Sequence, residues 1–493
     1  MRSGVTAPGR RGTGGQLTDA TQVRSRSEPG DVRHAVARLR GTYLSGTTRP
    51  LSWRREQLDR LRRLVTAGES ELTRALAADL GKPGLEGWLT DLAFVTSEID
   101  YTTRHLGRWM RDERVRVPLA LRPDRARIVR EPLGVVLVVA PWNYPVQLSL
   151  APAVGALAAG NCVVIKPSEL APETSGALAA LATEHLDSDA VAVLEGGPEV
   201  VHAALDSGVD HVLFSGGEST GRLVMQAAAR TLTPVTLELG GKNPAIVMAD
   251  ADIPVAARRI AWGRYLNAGQ TCVSPDYVLV ERRIAEPFVG ALKAAINRFY
   301  GSDPVSSPDF ARIVNDRHFA RLAGLLASHG GEVVLGGATD PATRFIAPTV
   351  VRNPSWDSPL MAEEIFGPIL AVVDVDDLED AFRLIATRPD PLALYIFSSK
   401  RRTVHEVIRR TRSGGVCVNG TALQIGVPQL PFGGIGHSGT GAYHGKAGFE
   451  RLSHRRGVLV RPRHVDMRVL YPPYRPAKIR LLRLAERWSK PKS

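Results

Sequence analysis

Val135-Val-Leu-Val-Val139, then Ala-Pro-Trp-Asn-Tyr-Pro145 and an apolar run ending Ala151-Pro-Ala-Val-Gly-Ala-Leu-Ala-Ala159, then Gly-Asn-Cys-Val163-Val-Ile165-Lys166, is the stretch that decides the fold. Five β-branched or apolar residues, a longer small-residue segment and a second short apolar run read as strand, helix, strand. The pattern repeats downstream. Ala190–Leu194, His211–Phe214 and Val235–Leu237 are the next strand candidates, with helical segments over Pro172–His185, Glu199–Leu205 and Ser219–Ala229 between them. Short apolar runs separated by helices of this length predict βαβ units and a parallel sheet covered on both faces. Ligands on such sheets lie beyond the carboxyl ends of the strands. Asn143, Lys166, Gly216 and Glu238 all fall there.

Upstream, Leu58, Leu61, Val65, Leu72, Leu76 and Leu80 recur at helical spacing, so Leu51 to about Leu80 reads as an amphipathic helical stretch, followed by a second over Leu89–Trp109. Arg111–Arg130 is dense in Arg, Pro and Asp and reads as an excursion between elements. From Asn243 to about Gly415 the alternation restarts, with Ala245–Met248, Tyr277–Val280, Val333–Leu335 and Ala371–Val373 as strands. This predicts a second α/β lobe. The expected organisation is an arm over 1–32 without fixed structure, a first α/β domain over 33–110 and 131–238, to which the resemblance given below assigns the NAD cofactor, and a second over 239–415, to which it assigns the catalytic Cys. A bridging segment over 111–130 and 431–465 and a basic tail over 466–493 complete it.

Three cysteines lie in different contexts. Cys162 and Cys417 sit in apolar strand-like runs and read as packing residues. Cys272 sits in Asn267-Ala-Gly-Gln-Thr-Cys272-Val-Ser-Pro, a polar loop of the kind a nucleophilic thiol needs, since the thiolate requires exposure and nearby N–H donors. Glu238-Leu-Gly-Gly-Lys242 supplies a carboxylate that either activates water or pairs with Lys242 as scaffold. Phe214-Ser-Gly216-Gly217-Glu-Ser-Thr-Gly221 joins a strand to a helix, so its backbone N–H groups can hold pyrophosphate. Gly434-Ile-Gly436-His-Ser-Gly439 fits the dinucleotide fingerprint by letter, but it does not open a helix after a buried strand. It reads as a loop beside the site.

Glu238-Leu-Gly-Gly-Lys followed by Gly-Gln-Thr-Cys272 resembles the signature of the aldehyde dehydrogenase superfamily, and three further stretches agree: Pro141-Trp-Asn-Tyr-Pro145, Glu363-Glu-Ile-Phe-Gly-Pro368 and Pro431-Phe-Gly-Gly434. The similarity spans about Val36 to about Tyr474, and Cys272-Val-Ser-Pro-Asp-Tyr-Val-Leu with Tyr443-His-Gly-Lys is similar to the dimeric, class-three branch, whose substrates are fatty or aromatic aldehydes. The resemblance implies a Rossmann-like cofactor domain, a second α/β domain carrying the nucleophile, and a small β segment for dimerisation. That last segment would be His454–Arg461 paired with the Arg111–Arg130 region.

It also implies roles. Cys272 adds to an aldehyde, Asn143 and the Cys272 N–H hold the oxyanion, and Glu238 activates water to release the acid. Lys166 and Glu169 hold the adenosine ribose, and a carboxylate there tilts the choice toward NAD, with NADP as the alternative. Gly216, Gly217 and Gly221 form the phosphate loop, Gly217 standing where a Ser is common. Glu364 and Phe366 hold the nicotinamide ribose, while Tyr144, Thr271 and Phe432 are expected to line the substrate pocket. An acylating relative that passes the thioester to coenzyme A, and an NAD-binding interaction protein without activity, are the alternatives.

Composition bounds the rest. With 493 residues, 44% hydrophobic and 23% charged, the chain has the make-up of an ordinary globular enzyme. Three unpaired cysteines point to a reducing compartment, so a cytoplasmic setting is expected. The first thirty residues lack the apolar core of a signal peptide, and no run nears the roughly 20 apolar residues that span a bilayer. The formal charge is +13, but 12 Lys and Arg against two acids lie from His454 onward. The excess is therefore local, and the body lacks the basic, aromatic-interleaved stretches of a nucleic-acid binder. The twelve histidines show no metal-ligand spacing. Leu481, Leu484, Ala485 and Trp488 form a stripe opposite Arg480, Arg483 and Arg487, predicting a basic amphipathic helix. It would either lie on the inner face of a membrane or pack on the partner subunit.

Overall fold

The computed structural model describes residues 27–118 and 121–489. The stretch from Val135 forms a six-stranded sheet in the spatial order Gly439–Thr440, Val235–Glu238, His211–Ser215, Val135–Val139, Cys162–Lys166, Val191–Val193. All neighbours are parallel except the edge strand Gly439–Thr440, which runs antiparallel to Val235–Glu238. The strand order reverses beside Val135–Val139, and a ligand crevice opens at such a switch point. The helix Pro145–Ala159 that follows is buried along its whole length, in keeping with a composition that is apolar but for Gln147 and Ser149.

The helical stretch expected over Leu51–Leu80 is two helices, Leu51–Ala67 and Glu69–Leu80, divided at Gly68, where the chain passes so close to Leu181 that a Cβ would overlap that side chain. The next is a π-helical turn, Trp88–Leu92, continuing into the helix Ala93–Trp109.

A second sheet of seven strands has the order Glu332–Leu335, Thr349–Arg352, Ile369–Val375, Tyr277–Glu281, Pro244–Val247, Ala393–Phe397, Gly415–Val418. Only its first pair is antiparallel. Thr349–Arg352 and Ala393–Phe397 were not expected. The first is four residues long between Pro348 and Asn353-Pro354, and the second is an all-buried apolar run that periodicity cannot tell from helix.

A three-stranded antiparallel sheet joins Glu113–Val115, Arg125–Pro132 and Ser453–Val460, the last two paired over eight residues.

Several expected boundaries move. The helix Pro29–Leu44 begins inside the arm assigned to 1–32 and buries Val32, Ala35, Val36 and Leu39 against the six-stranded sheet; residues 1–26 lie outside the described residues. The lobe ended at 415 gains the edge strand Gly415–Val418. Of the segment 431–465, Gly439–Thr440 belongs to the six-stranded sheet and the helix Gly445–Arg451 packs on Pro145–Ala159, so only Ser453–Val460 bridges. Cys162 is buried as expected, whereas Cys417 is only half-buried.

Candidate active site

The nucleophile loop begins where the helix Ile253–Tyr265 stops. Asn267, Ala268 and Gly269 take left-handed backbone angles in succession, with φ of 53°, 50° and 74°. Only glycine fits at 269, because a Cβ there would stand 2.2 Å from the Gly367 carbonyl oxygen. Two non-glycine residues in this region are strained and must be held by their surroundings. Gln270, fully buried, does this: its amide donates to the carbonyls of Asn267 and Arg312, each at 3.0 Å, and accepts the Val314 N–H at 3.0 Å. Beyond it, Asn243 donates to the Cys272 carbonyl at 2.8 Å and the Ser274 carbonyl at 3.0 Å. The loop thus presents Cys272 in the wall of a cavity of about 700 Å³ between the two sheets.

The thiol is half-buried, and its chemistry differs from the sequence expectation. Burial, with the Glu364 and Glu238 carboxyls adding to it, pushes the thiol up to about 12, while the N–H groups of Cys272 and Val273 pull the other way. Cys272 therefore rests protonated, and a base has to take its proton. Glu238 lines the same cavity at the end of Val235–Glu238; both its carboxylate oxygens are buried without a hydrogen-bond partner. Burial alone pushes its carboxyl well above the usual range. The salt bridge to Lys242 that the sequence left open does not form. Lys242 pairs with Asp276 at 2.6 Å and donates to the carbonyls of Leu360 and Glu363.

Asn143 lies at the end of Val135–Val139, in the cavity wall. Its amide donates to the Gln270 carbonyl at 3.1 Å, leaving one N–H proton of the NH₂ group. Next to it the Tyr144 hydroxyl and Thr271 hydroxyl bond each other at 2.6 Å. Phe432 lines the cavity, whereas Tyr144 and Thr271 are buried behind Asn143 and Cys272 and are not among its lining residues.

The positions expected to hold a dinucleotide divide similarly. Gly216 and Gly217 line the cavity, with Gly217 as N-cap of the helix Glu218–Ala229, so N–H groups of a helix start face the space. Gly221 is buried one turn into that helix. Glu364 and Phe366 line the same cavity; one Glu364 oxygen is buried and unpartnered, and burial pushes its carboxyl up to about 8. Such an oxygen suits a hydroxyl-bearing ligand. Lys166 and Glu169 lie away from the lining and form an ion pair with each other, Lys166 buried and Glu169 exposed.

Residues that the sequence did not single out also line the cavity: Arg222 and Glu218, paired with each other, and His437, which bonds Glu218 at 2.9 Å. His318 lies against Trp142, whose ring also meets Phe366 edge-on at 5.4 Å. Glu218 and Arg222 stand on the helix Glu218–Ala229, His318 on the helix Asp316–Ala327 and His437 in the turn Gly436–Ser438, and only the tertiary arrangement brings them to one cavity.

The aldehyde dehydrogenase family profile matches residues 18–458. The dog protein named "Aldehyde dehydrogenase, dimeric NADP-preferring" is 45% identical over 444 residues, covering 90% of this chain and 98% of that one. Human "Aldehyde dehydrogenase family 3 member B1" is 46% identical over 452 residues, covering 91% and 96%. Among solved structures, Staphylococcus aureus AldH in its substrate-bound state superposes with a TM-score of 0.89 at 39% identity, covering 92% of this chain and 99% of that one. The P. syringae indole-3-acetaldehyde dehydrogenase AldA, in complex with NAD+ and IAA, superposes with a TM-score of 0.83 at 27% identity, covering 89% and 90%. With the sheet order, the cavity at the strand ends and these similarities in agreement, the chain belongs to the aldehyde dehydrogenase family.

Proposed function

We propose that this enzyme oxidises medium- or long-chain aliphatic, or aromatic, aldehydes to carboxylic acids through a thioester on Cys272. The observation that carries the reading is a thiol and an unpartnered buried carboxylate, Cys272 and Glu238, facing one cavity beside Asn143.

The residues can act in sequence. The Cys272 sulfur bonds to the aldehyde carbon as Glu238 removes the thiol proton. The carbonyl electron pair moves to oxygen, where the free Asn143 N–H and the Cys272 N–H meet the new charge. A nicotinamide dinucleotide, when bound, supplies the acceptor for the hydride that leaves the aldehyde carbon. Gly216, Gly217, Glu364 and Phe366 would hold it, with Lys166 and Glu169 at the ribose of its adenosine. That carboxylate favours NAD, while the name of the dog relative makes NADP the competing choice. Once the thioester exists, Glu238 releases the thiol proton to solvent and takes a second proton from water; the hydroxide adds to the acyl carbon, and the C–S bond breaks to free the acid and a Cys272 thiolate that regains its proton from Glu238. A carboxylate free of Lys242 favours hydrolysis over transfer to coenzyme A.

The finer assignments belong to the same reading: a cofactor domain on the six-stranded sheet, a catalytic domain on the seven-stranded one, and a homodimer joined through the Ser453–Val460 sheet. A cytoplasmic setting, with peripheral membrane contact through the tail, accompanies them. No helix among the described residues is long and apolar enough to cross a membrane.

Mixing enzyme, NAD and a medium-chain aldehyde is expected to generate NADH absorbance, and Cys272→Ala to abolish it. Normal turnover in that variant would overturn the assignment of the nucleophile.

A further inference from the structure

Lys82 and Asp91 form an ion pair at 2.8 Å in which both side chains are wholly shielded from solvent. A buried pair gains little over an apolar replacement, so its contacts have to explain it. The Lys82 ammonium donates to the Asn143 carbonyl at 3.0 Å and sits 4.2 Å from the centre of the Tyr144 ring. The second oxygen of Asp91 accepts the N–H groups of Val146 and Gln147, each at 3.2 Å, in the first turn of the helix Pro145–Ala159. One ion pair thus grips the chain on both sides of Asn143-Tyr144. The grip extends to the nucleophile loop on two routes: Asn267 donates to the same Asn143 carbonyl at 2.8 Å, and the Tyr144 hydroxyl bonds Thr271 beside Cys272. The direction of the Asn143 amide follows from its backbone, and the backbone carbonyl is what Lys82 holds.

We propose that Lys82, with Asp91 as its counter-charge, is a positioning residue for formation of the oxyanion, acting through the Asn143 peptide. The inference rests on the reading of Asn143 as an oxyanion donor. A misplacement of about 1 Å in such a donor costs on the order of 100-fold in rate.

The test uses the full-length enzyme carrying Lys82→Met with Asp91→Asn, which removes both charges together and keeps an acceptor for the helix N–H groups. The burst rate of NADH formation in a single turnover is expected to fall about 10- to 100-fold. The KM for NAD and the rate of Cys272 alkylation by iodoacetamide are expected to hold. In an Asn143→Ala background the paired substitution is expected to add no further loss. An unchanged burst, or an equal fall in both backgrounds, overturns the positioning role. Asn143→Ala with a normal burst defeats the oxyanion reading instead, so the two failures are distinguishable. If circular dichroism shows the double variant unfolded, Asp91→Asn alone is measured the same way; a burst below wild type that disappears in the Asn143→Ala background supports the role, and a wild-type burst overturns it.

Discussion

Glu238 combines two burdens, a charge to accept and no partner to offset it. Both oxygens are buried and unpartnered, and burial pushes the carboxyl upward, so at low pH the group stays protonated and cannot take a proton from water. Steady-state turnover is therefore expected to rise with pH as Glu238 ionises. Glu238→Gln is expected to lose steady-state rate by about 100-fold or more, within the range general-base catalysis supplies. In the proposed reaction Glu238 is also the base for the attack of Cys272, so the variant's NADH burst is expected to slow while keeping its amplitude of one per site. A variant with wild-type steady-state rate and an unaltered pH profile would remove the base role. At this scale the sequence was informative where chemistry depends on a local motif. Cys272 stood out from Cys162 and Cys417 by its neighbours alone. Partners were not legible: Lys242 is four residues from Glu238, yet its ammonium goes to Asp276, which the sequence places far along the chain. The thiol's upward shift also escaped, because loop polarity says nothing of the carboxyls that tertiary structure brings close.

The helix Ala93–Trp109 and the turn at His444-Gly445 show what holds an element near the cavity. Glu98, buried within the helix, accepts the Gly445 N–H at 2.5 Å, fixing two residues with φ of 77° and 47°. Burial pushes the Glu98 carboxyl up to about 7 from an ordinary 4.5. The folded protein therefore holds this proton more tightly than the unfolded chain. The group's contribution to stability is present below about pH 4.5 and is lost as pH rises to about 7. Glu98→Gln keeps an acceptor without a charge to bury, so relative to wild type it is expected to gain on the order of 2 kcal/mol between pH 5 and pH 8. Thermal melts at the two pH values check this, and an equal displacement of Tm at both would sink it. Elements written as short apolar runs between helices were readable, as the five parallel strands of the six-stranded sheet show. Those set by contact were not: the glycine at 68, where the two helices meet, lies under the Leu181 side chain. The two-residue strand Gly439–Thr440 exists only because Leu237 and Glu238 offer it an edge.

At the scale of the whole molecule, two α/β lobes face each other across the cavity, and a thin sheet of chain-distant strands, Arg125–Pro132 with Ser453–Val460, leads out to the basic tail. The two-lobe plan was legible because alternation of strand and helix restarts after Asn243, whereas the limits of the bridging segment were not, since strand pairing between residues some 330 apart leaves no local trace. The tail continues this outward path. Pro476–Ser489 is a helix, resting against the turn Arg468–Leu470 through Lys478, which donates to the carbonyls of Arg468 and Tyr471. Ile479 and Leu482 are exposed on it, beside Arg480 and Arg483. The apolar stripe of Leu481, Leu484, Ala485 and Trp488 falls on side chains outside the described residues. A helix with apolar and basic residues both open to solvent has the character of an element that settles into an anionic lipid surface. Five cations from Lys478 to Lys490, at about 1 kcal/mol each near such a surface, would give attachment that weakens with salt. Full-length enzyme is expected to pellet with phosphatidylserine vesicles at low ionic strength, to be released at high salt, and to stay in solution when truncated after Tyr474. An intact protein that never pellets at low salt removes the membrane role and leaves the stripe to the partner subunit, in which case truncation is expected to shift the dimer equilibrium in sedimentation.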